Sequence, residues 1–235
     1  MEKELEANFR FGLVAAMSKK DRVIGVNGKL PWNLPTDRKV FMDLTRNKTL
    51  IIGRHTFLER PNQTHLAHLQ TAIVVSKTFA DNPPEITTTT TTSPCIIWVD
   101  SLQKALWEAY QISLKKNNKD NSECQISSPE PSIEEELDDI DCWIGGGERL
   151  YRDALLHPSA QFLHLTEVDM ENLSFGRDDS VAYFPAKYRW DHVFKPVNNQ
   201  QPQEETIILH ENDDNHPYTI QLYRNRLTQQ RCFTC

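Results

Sequence analysis

Residues 23–37 read VIGVNGKLPWNLPTD, and this stretch constrains the fold more than any other part of the chain. Its first half is a glycine-bearing polar segment typical of a loop, which closes on Leu-Pro-Trp. The second Leu-Pro then predicts the start of a helix with Asp37 in its first turn, where the helix dipole favours a negative charge. A tryptophan or an acid alone at such a place is usually structural. Trp32 and Asp37 together, beside a glycine loop, indicate a binding site.

Apolar runs of strand length recur on both sides of this stretch. Strands are predicted at 11–17, 49–52, 72–75, 96–99, 140–144, 161–168, 206–210 and 218–223. Amphipathic helices are predicted between several of them, including one over 101–115 with Ser101 as its cap. Strands that alternate with helices and then end in a strand pair predict an α/β fold with a mostly parallel sheet covered on both faces.

Length, composition and charge favour one soluble domain over 1–235. The chain has 235 residues, of which 26 are basic and 33 acidic, and a formal net charge of −7. Nucleic-acid-binding proteins typically carry a basic excess, so this class is disfavoured. The first residues lack the apolar core of a signal peptide, and no apolar run approaches the roughly 18 residues of a membrane span. We therefore expect a cytoplasmic protein without a nucleic-acid or membrane partner.

Three segments are predicted to lie outside the core of this domain: a loop at 82–94, an insertion at 117–139 and a flexible tail at 226–235. The loop holds six consecutive threonines and the insertion a cluster of Glu and Asp, so neither has the apolar area that offsets the cost of ordering. The five cysteines are scattered, which disfavours a disulfide framework. Cys232 and Cys235 form a terminal C-x-x-C without a second pair at zinc-ligand spacing, so no metal site is predicted.

Three further segments have the residue types that bind phosphate groups. Residues 51–56, IIGRHT, predict a buried strand that leads through a glycine turn to Arg, His and Thr. Residues 143–151, WIGGGERLY, place three glycines between a strand and a helix, where a backbone can approach a diphosphate closely. Ser76 and Lys77 directly follow another predicted strand. Each feature alone is weak, because a tight turn or a solvated surface cation explains it equally well.

These segments, in this order and at these separations, resemble the dihydrofolate reductase family. The similarity runs from about residue 11 to 224, and the string L-P-W-x-L-P-x-D is its most specific element. The resemblance implies a single-domain α/β fold with a central eight-stranded, mostly parallel sheet, flanking helices and a C-terminal antiparallel strand pair. It also implies a monomeric, NADPH-dependent enzyme that reduces 7,8-dihydrofolate to 5,6,7,8-tetrahydrofolate. Such an enzyme serves one-carbon metabolism and is a target of antifolates.

The resemblance assigns roles to the residues at matching positions. Asp37, Thr166 and Trp32 form the implied catalytic set, in which Asp37 binds the pterin and Thr166 supports it. The substrate pocket would also include Ala16, Leu30, Arg38, Phe41, Arg60 and Gln70. The cofactor would be held by Ala16, Ile24, Gly28, Arg54, His55, Thr56, Ser76, Lys77, Gly145, Gly146, Gly147, Glu148, Arg149, Leu150 and Tyr151.

The family also implies how these parts act. Gly146 and Gly147 match the pair that the family joins by a cis peptide bond, and the loop at about 18–30 would close over the nicotinamide. Hydride would reach C6 of the pterin after protonation of N5, with water delivering the proton near Asp37.

The substrate half of the implied site departs from the family pattern. Gln70 stands where the family's arginine grips the folate carboxylate, and a neutral amide cannot form that charge-assisted pair. Arg38 and Arg60 stand at usually apolar positions. Either one of these cations holds the carboxylate, or the pocket serves a smaller pterin without the glutamate tail. Gly145 replaces the usual Ile or Val, and Val-Ala at 181–182 replaces an acidic-Thr pair.

Two other classes of function compete with this enzyme. One is a related reductase of another pterin or of a pyrimidine such as that of riboflavin synthesis, and the L-P-W…Asp string disfavours the pyrimidine option. The other is a non-catalytic NADPH-binding homologue that uses the acidic insertion to bind a partner. Retention of Asp37, Trp32 and Thr166 disfavours lost catalysis.

Overall fold

A computed structural model of the protein describes residues 9–84, 94–117, 132–170, 173–197 and 216–229. The strands within these ranges are β1 Phe11–Ser18, β2 Val23–Val26, β3 Thr49–Gly53, β4 Thr71–Val75, β5 Cys95–Val99, β6 Cys142–Ile144, β7 Ala160–Val168, β8 Val181–Tyr183, β9 Phe194–Pro196 and β10 Tyr218–Asn225. The α-helices are α1 Pro35–Thr45, α2 Arg54–Phe57, α3 Leu102–Asn117, α4 Ile133–Asp138, α5 Glu148–Ala154 and α6 Arg226–Gln229, with 3₁₀ turns at Pro61–Leu66 and Lys187–Arg189. None of the helices in the described ranges has the length and apolar character that a bilayer span needs.

Eight of these strands form one sheet in the order β5-β4-β3-β6-β1-β7-β10-β9. The first six strands in this order run parallel. β10 is antiparallel to β7 and to β9. The predicted α/β fold with a mostly parallel eight-stranded sheet and an antiparallel C-terminal pair is therefore confirmed. The strand expected near 206–210 lies outside the described residues, and the described neighbour of β10 on that side is β9.

The sheet is covered on both faces because side chains alternate along its strands. In β1, Leu13 and Ala15 belong to a core cluster that includes buried residues of α3 and α5. Val14 belongs to the cluster on which Phe41 and Leu44 of α1 pack. The helices therefore hold the sheet from two sides, and the carboxyl ends of the parallel strands stay open at one edge.

Helix α1 begins at Pro35, one residue earlier than the sequence suggests. Leu34 is its N-cap residue and makes no side-chain hydrogen bond to the helix. Proline suits the first helical position because its missing N–H would have no partner there, and its φ is already helical. Asp37 consequently lies in the first turn, as predicted.

The insertion at 117–139 is more ordered at its end than predicted. α3 extends to Asn117, and residues 132–138 form a capped helix, α4. The Glu135 N–H donates to Ser132 Oγ at 3.3 Å, and the Ser132 N–H donates to Glu135 Oε2 at 2.7 Å. Ser132 and Glu135 form the S-x-x-E pattern of a capping box, a sequence signature of a helix start. Glu136 also forms an ion pair with Arg224 of β10, which ties α4 to the sheet.

The start of the C-terminal tail also takes part in structure. In the tail, Arg226–Gln229 forms the single turn α6, whose Leu227 N–H donates to Asn225 Oδ1 at 2.8 Å. Most of the threonine-rich loop and the terminal Cys232 and Cys235 lie outside the described residues.

Candidate functional site

A cleft of about 1350 Å³ lies at the carboxyl ends of the parallel strands. Such edges of open α/β sheets are where ligands bind. The residues assigned from the sequence that line it are Ala16, Ile24, Gly28, Leu30, Trp32, Asp37, Arg38, Phe41, Arg54, His55, Thr56, Arg60, Ser76, Lys77, Gly145, Gly146, Gly147, Glu148, Arg149, Leu150 and Tyr151. Thr166 does not line the cleft itself but acts on it through Asp37.

The Asp37 carboxylate is fixed by a threonine from the opposite side of the cleft floor. Thr166 Oγ1 donates to Asp37 Oδ1 at 2.6 Å, although 129 residues separate the two in sequence. Thr166 is 1% exposed, so this bond is shielded from water. A short bond from a hydroxyl to a carboxylate is among the stronger side-chain hydrogen bonds and holds the acid in one orientation.

Trp32 and Phe41 form an apolar wall beside this acid. The Trp32 side chain is 8% exposed, and its indole Nε1–H has no hydrogen-bond partner among the described residues. A buried donor without a partner is costly, so this atom favours a ligand or a water in the cleft. Phe41 packs edge-on against His68 with ring centroids 5.7 Å apart, which fixes its position.

The glycine run from β6 forms the central wall of the cleft. Gly146 and Gly147 are joined by a cis peptide bond, and Gly146 has φ +110°, a conformation that L side chains rarely adopt. The Gly53 N–H donates to the Gly146 carbonyl at 2.7 Å, which joins the ends of β3 and β6. A Cβ added at Gly147 would meet nothing within 4 Å, so this backbone is open to a ligand.

Gly145, where an Ile or Val is usual, is explained by its neighbours. An added Cβ would lie 3.1 Å from Leu50 Cδ1 and 3.5 Å from Phe41. The contact with Leu50 is tight and the contact with Phe41 is an ordinary one, so a larger side chain would require Leu50 to shift.

Tyr151 supports the glycine wall from α5. Its hydroxyl is buried and donates to the Val14 carbonyl at 2.8 Å, which links α5 to β1. Burial raises the pKa of Tyr151, and the negative charge of Asp37 adds to the rise. The hydroxyl therefore stays protonated and remains a donor at neutral pH.

The far end of the cleft carries cations at the ends of β3 and β4. The Arg54 guanidinium lies 5.6 Å from the ring centroid of Phe79 and 3.4 Å from His55 Nε2. Ser76 Oγ accepts from the Phe79 N–H at 3.2 Å, so the loop after β4 holds the ring against which Arg54 lies. Because α2 is a single turn, Arg54 and Lys77 supply the attraction for anions, and the helix dipole expected at this place adds little.

The loop at 18–30 is held by a small sheet that the sequence did not reveal. β2 pairs antiparallel with β8. Asn27 at its tip has φ 52° and donates from Nδ2 to Asp179 Oδ1 at 2.7 Å. Its Oδ1 accepts from the Ser180 N–H at 2.9 Å. These contacts tie the tip of the loop to the segment that leads into β8.

The mouth of the cleft differs from the prediction at Gln70. This residue precedes β4, is exposed and is not among the residues that line the cleft, so the geometry does not support the predicted role of Gln70 in the substrate pocket. Arg38 and Arg60 do line the cleft. Arg38 donates to Asn33 Oδ1 at 2.6 Å, which aligns its guanidinium along the start of α1.

A half-buried carboxylate lies among the cations of the mouth. Burial raises the pKa of Glu59, while the charges of Arg60, Arg38 and Lys29 lower it. Three cations near one carboxylate leave a positive excess at this end of the cleft.

Several lining residues were not predicted, because their positions depend on a 3₁₀ turn that joins α2 to β4. His65 Nε2 donates to the Thr56 carbonyl at 3.0 Å, and burial lowers the pKa of His65. The ring is thus neutral with the proton on Nε2, and Nδ1 is a buried acceptor without a partner among the described residues.

His68 donates to Thr45 Oγ1 at 2.7 Å, since that hydroxyl already donates to the Phe41 carbonyl. Further unpredicted lining residues are Lys29, Asn33 and Asp100.

Comparison with protein families identifies one match. A family model described as dihydrofolate reductase matches residues 10–98, which include β1 to β4, the loop with Trp32 and Asp37, and the Arg54 segment.

Individual relatives extend the similarity over most of the chain. The dihydrofolate reductase of Buchnera aphidicola from Acyrthosiphon pisum is 28% identical over 192 residues, which cover 80% of this chain and 88% of that protein. Bifunctional dihydrofolate reductase-thymidylate synthase 2 of Arabidopsis thaliana is 28% identical over 163 residues. That match covers 66% of this chain but only 24% of the plant protein, so the chain spans about a quarter of the length of this relative.

A solved structure shows the same fold. Dihydrofolate reductase from Enterococcus faecalis, complexed with NADP(H) and RAB-propyl, superposes with a TM-score of 0.57. The superposition covers 92% of this chain and 96% of that chain at 20% sequence identity.

Proposed function

We propose that this chain is a member of the dihydrofolate reductase family and transfers a hydride from NADPH to C6 of 7,8-dihydrofolate with protonation of N5. The observation that carries the proposal is the hydrogen bond from Thr166 to Asp37 at the floor of the cleft. The same cleft continues past the open glycine backbone to the cations at the ends of β3 and β4. One continuous cavity thus offers an acid for a pterin and a cradle for a dinucleotide.

The part of the cleft around Asp37 has the residue types that would orient a flat ring with adjacent hydrogen-bond donors. The Asp37 carboxylate would accept hydrogen bonds from pterin N3 and the 2-amino group, while Thr166 holds the carboxylate in place. Phe41 and Trp32 would contact the ring faces, and the free Trp32 Nε1–H would hold a water or a ring substituent. Asp37 favours a protonated N5 through its charge, and water delivers the proton.

The residues of the other end fit a phosphorylated dinucleotide. The Gly147 backbone is open, because a Cβ there would meet nothing within 4 Å, and Arg54 and Lys77 provide charge for phosphates. When bound, the nicotinamide cofactor supplies the hydride, and the chain contributes orientation and exclusion of water. Thr56, His55 and Ser76 would add hydrogen bonds at the phosphates. Gly28, Ile24 and Leu30 would cover the nicotinamide when the loop is closed.

The positive excess at the mouth favours a substrate with an anionic tail. We assign the tail carboxylate to Arg38 or Arg60, because Gln70 is exposed away from the cleft and both arginines line it. An arginine–carboxylate pair is bidentate and charge-assisted, so a single well-placed cation replaces the missing one.

The first test is turnover with purified protein. Loss of NADPH absorbance with 7,8-dihydrofolate is expected, and Asp37→Asn should lower kcat/KM by roughly 10²–10⁴-fold. Asp43→Asn is the matched control, since Asp43 lies in the same helix and pairs with Arg46 at the surface. Bound NADPH without turnover on dihydrofolate or dihydrobiopterin would instead establish a non-catalytic homologue.

The second test separates the two substrates left open by the sequence. If a cation holds the tail, Arg38→Ala or Arg60→Ala should raise KM for dihydrofolate by about 10–100-fold and leave dihydrobiopterin unaffected. Arg46→Ala is the control, because Arg46 is an exposed cation at the C-terminal cap of the same helix. Unchanged KM values in both variants, with turnover of dihydrobiopterin, would assign the pocket to a pterin without the tail.

The cellular setting follows from the same proposal. We propose a cytoplasmic monomer that supplies tetrahydrofolate to one-carbon metabolism and is inhibited by antifolates. Light scattering of the purified protein and titration with an antifolate in the turnover assay test the state of assembly and the inhibition.

A further inference from the structure

The cofactor end of the cleft contains a carboxylate next to its cations. Strands β4 and β5 are parallel neighbours with Val75 opposite Val99, and the Ser76 N–H donates to the Val99 carbonyl at 2.8 Å. Lys77 lies two residues beyond the end of β4 and Asp100 directly follows β5, and both line the cleft. Neighbouring strands lie about 4.8 Å apart, so these two residues follow adjacent strand ends.

Arg54 is held at this region by a chain of contacts. Its guanidinium lies over the Phe79 ring, and the Phe79 N–H is bonded to Ser76 Oγ, one residue before Lys77. The site proposed above for cofactor phosphates therefore contains Arg54, Lys77 and Asp100.

Asp100 is held in position as a charged group. It accepts from Lys104 Nζ at 2.7 Å and from Ser101 Oγ at 2.8 Å. These two hydrogen bonds lower the pKa of Asp100, so the carboxylate is ionised at neutral pH. Lys104 lies one helical turn along and does not line the cleft, whereas Asp100 and Ser101 do.

We propose that Asp100 sets the discrimination between NADPH and NADH and weakens the preference for the phosphorylated cofactor. A carboxylate at the adenosine ribose accepts a hydrogen bond from a free 2′-hydroxyl and repels a 2′-phosphate, which carries nearly two negative charges. Arg54 and Lys77 act in the opposite direction. The balance lets the cleft accept both cofactors, and the inference rests on the cofactor site of the proposed function.

The test measures binding of two cofactor fragments, adenosine 2′,5′-bisphosphate and adenosine 5′-monophosphate, by calorimetry without substrate. Asp100→Asn keeps the size of the side chain and removes its charge. It should tighten the bisphosphate by about tenfold, the effect of one charge about 6 Å from a phosphate dianion in water, and should not tighten the monophosphate. Lys104→Gln removes the neutralising partner of Asp100 and should weaken the bisphosphate only while Asp100 is present. Lys77→Gln should weaken the bisphosphate in either background.

Asp81→Asn is the matched control, because Asp81 is an exposed acid near Lys104 that does not line the cleft, and it should leave both fragments unaffected. Binding of both fragments with the same affinity ratio in wild type and Asp100→Asn would overturn the inference and leave the proposed function intact. Failure of both fragments and of NADPH to bind would overturn the cofactor site itself. As a second readout, the ratio of KM for NADH to KM for NADPH should rise in Asp100→Asn.

Discussion

Replacement of Thr166 by valine isolates the hydrogen bond on which the proposed chemistry depends. Valine has nearly the shape of threonine and the same β-branch, so it suits the buried strand β7. The change removes the Oγ1 donor 2.6 Å from Asp37 Oδ1 and little else, because the side chain is almost fully buried. The Asp37 carboxylate then has to hold its orientation without this partner.

The expected loss follows from the type of bond. A hydrogen bond to a charged group contributes about 1.5–3 kcal/mol. Because Asp37 is proposed to contact the pterin throughout the reaction, kcat/KM for dihydrofolate should fall by roughly 10–100-fold. NADPH affinity should change less than twofold, since Thr166 lies at the opposite end of the cleft from Arg54 and Lys77.

Steady-state kinetics and cofactor titration on three variants measure this effect. Thr166→Ser keeps the hydroxyl and should recover most of the activity. Thr71→Val makes the same chemical change in a buried strand residue at the amino end of β4, away from the cleft, and should leave kcat/KM unchanged. Urea unfolding of all three variants separates a loss of activity from a loss of folded protein.

Two results would refute the reasoning. Equal kcat/KM for Thr166→Val and wild type would show that the bond does not support the reaction. An equal effect of Thr166→Val in the Asp37→Asn background would show that Thr166 acts through packing, since a residue that works through the carboxylate should matter less once the carboxylate is gone.

Three further predictions concern the loop, the core and pH. Asn27→Gly keeps the positive φ of the loop but loses the hydrogen bonds to Asp179 and Ser180. NADPH should therefore dissociate about fivefold faster in stopped-flow measurements, without a change in global stability. An unchanged dissociation rate would mean that these bonds do not hold the loop. Gly12→Ala places a Cβ 2.5 Å from the Trp143 ring and should cost about 1–3 kcal/mol in urea unfolding, partly recovered by Trp143→Phe. Burial lowers the pKa of His164 to about 4, so the unfolded state takes up the proton first as the pH falls. The free energy of unfolding should therefore decrease by about 3 kcal/mol between pH 6.5 and pH 4. In urea titrations, the free energy of unfolding of His164→Phe should depend less on pH, and the same pH dependence as in wild type would contradict this prediction.

The main sheet could be predicted from the sequence because its parallel strands are buried on both faces and appear as apolar runs. β3 and β4 were predicted within a residue of their observed ends. β2 and β8 were missed because they have only four and three residues and pair with each other outside the main sheet. The capping box of α4 was readable, but the acidic composition around it indicated a solvated segment.

The site was predictable where it follows short motifs and unpredictable where it depends on loops. Asp37 and the glycine run could be placed by motif, whereas the pairing of Asp37 with Thr166 joins distant parts of the chain and came only from the family resemblance. Counting back from β4 matched Gln70 to the family's carboxylate-binding arginine. Such a match in sequence does not determine the direction of the side chain, which depends on the turn before β4. His65 and Asp100 looked like ordinary polar residues until the fold placed them in the cleft.

The departures at the mouth have one geometric consequence. Arg38 is adjacent to Asp37 in the first turn of α1, and Arg60 follows the turn after α2, whereas Gln70 lies at the amino end of β4. A carboxylate held by Arg38 would therefore lie at the start of α1, whereas a tail directed toward the amino end of β4 would meet a neutral, exposed amide. We expect inhibitors that end at the pterin ring to depend on Asp37 and its bond to Thr166. Inhibitors with a glutamate tail should depend in addition on Arg38 or Arg60 and not on Gln70.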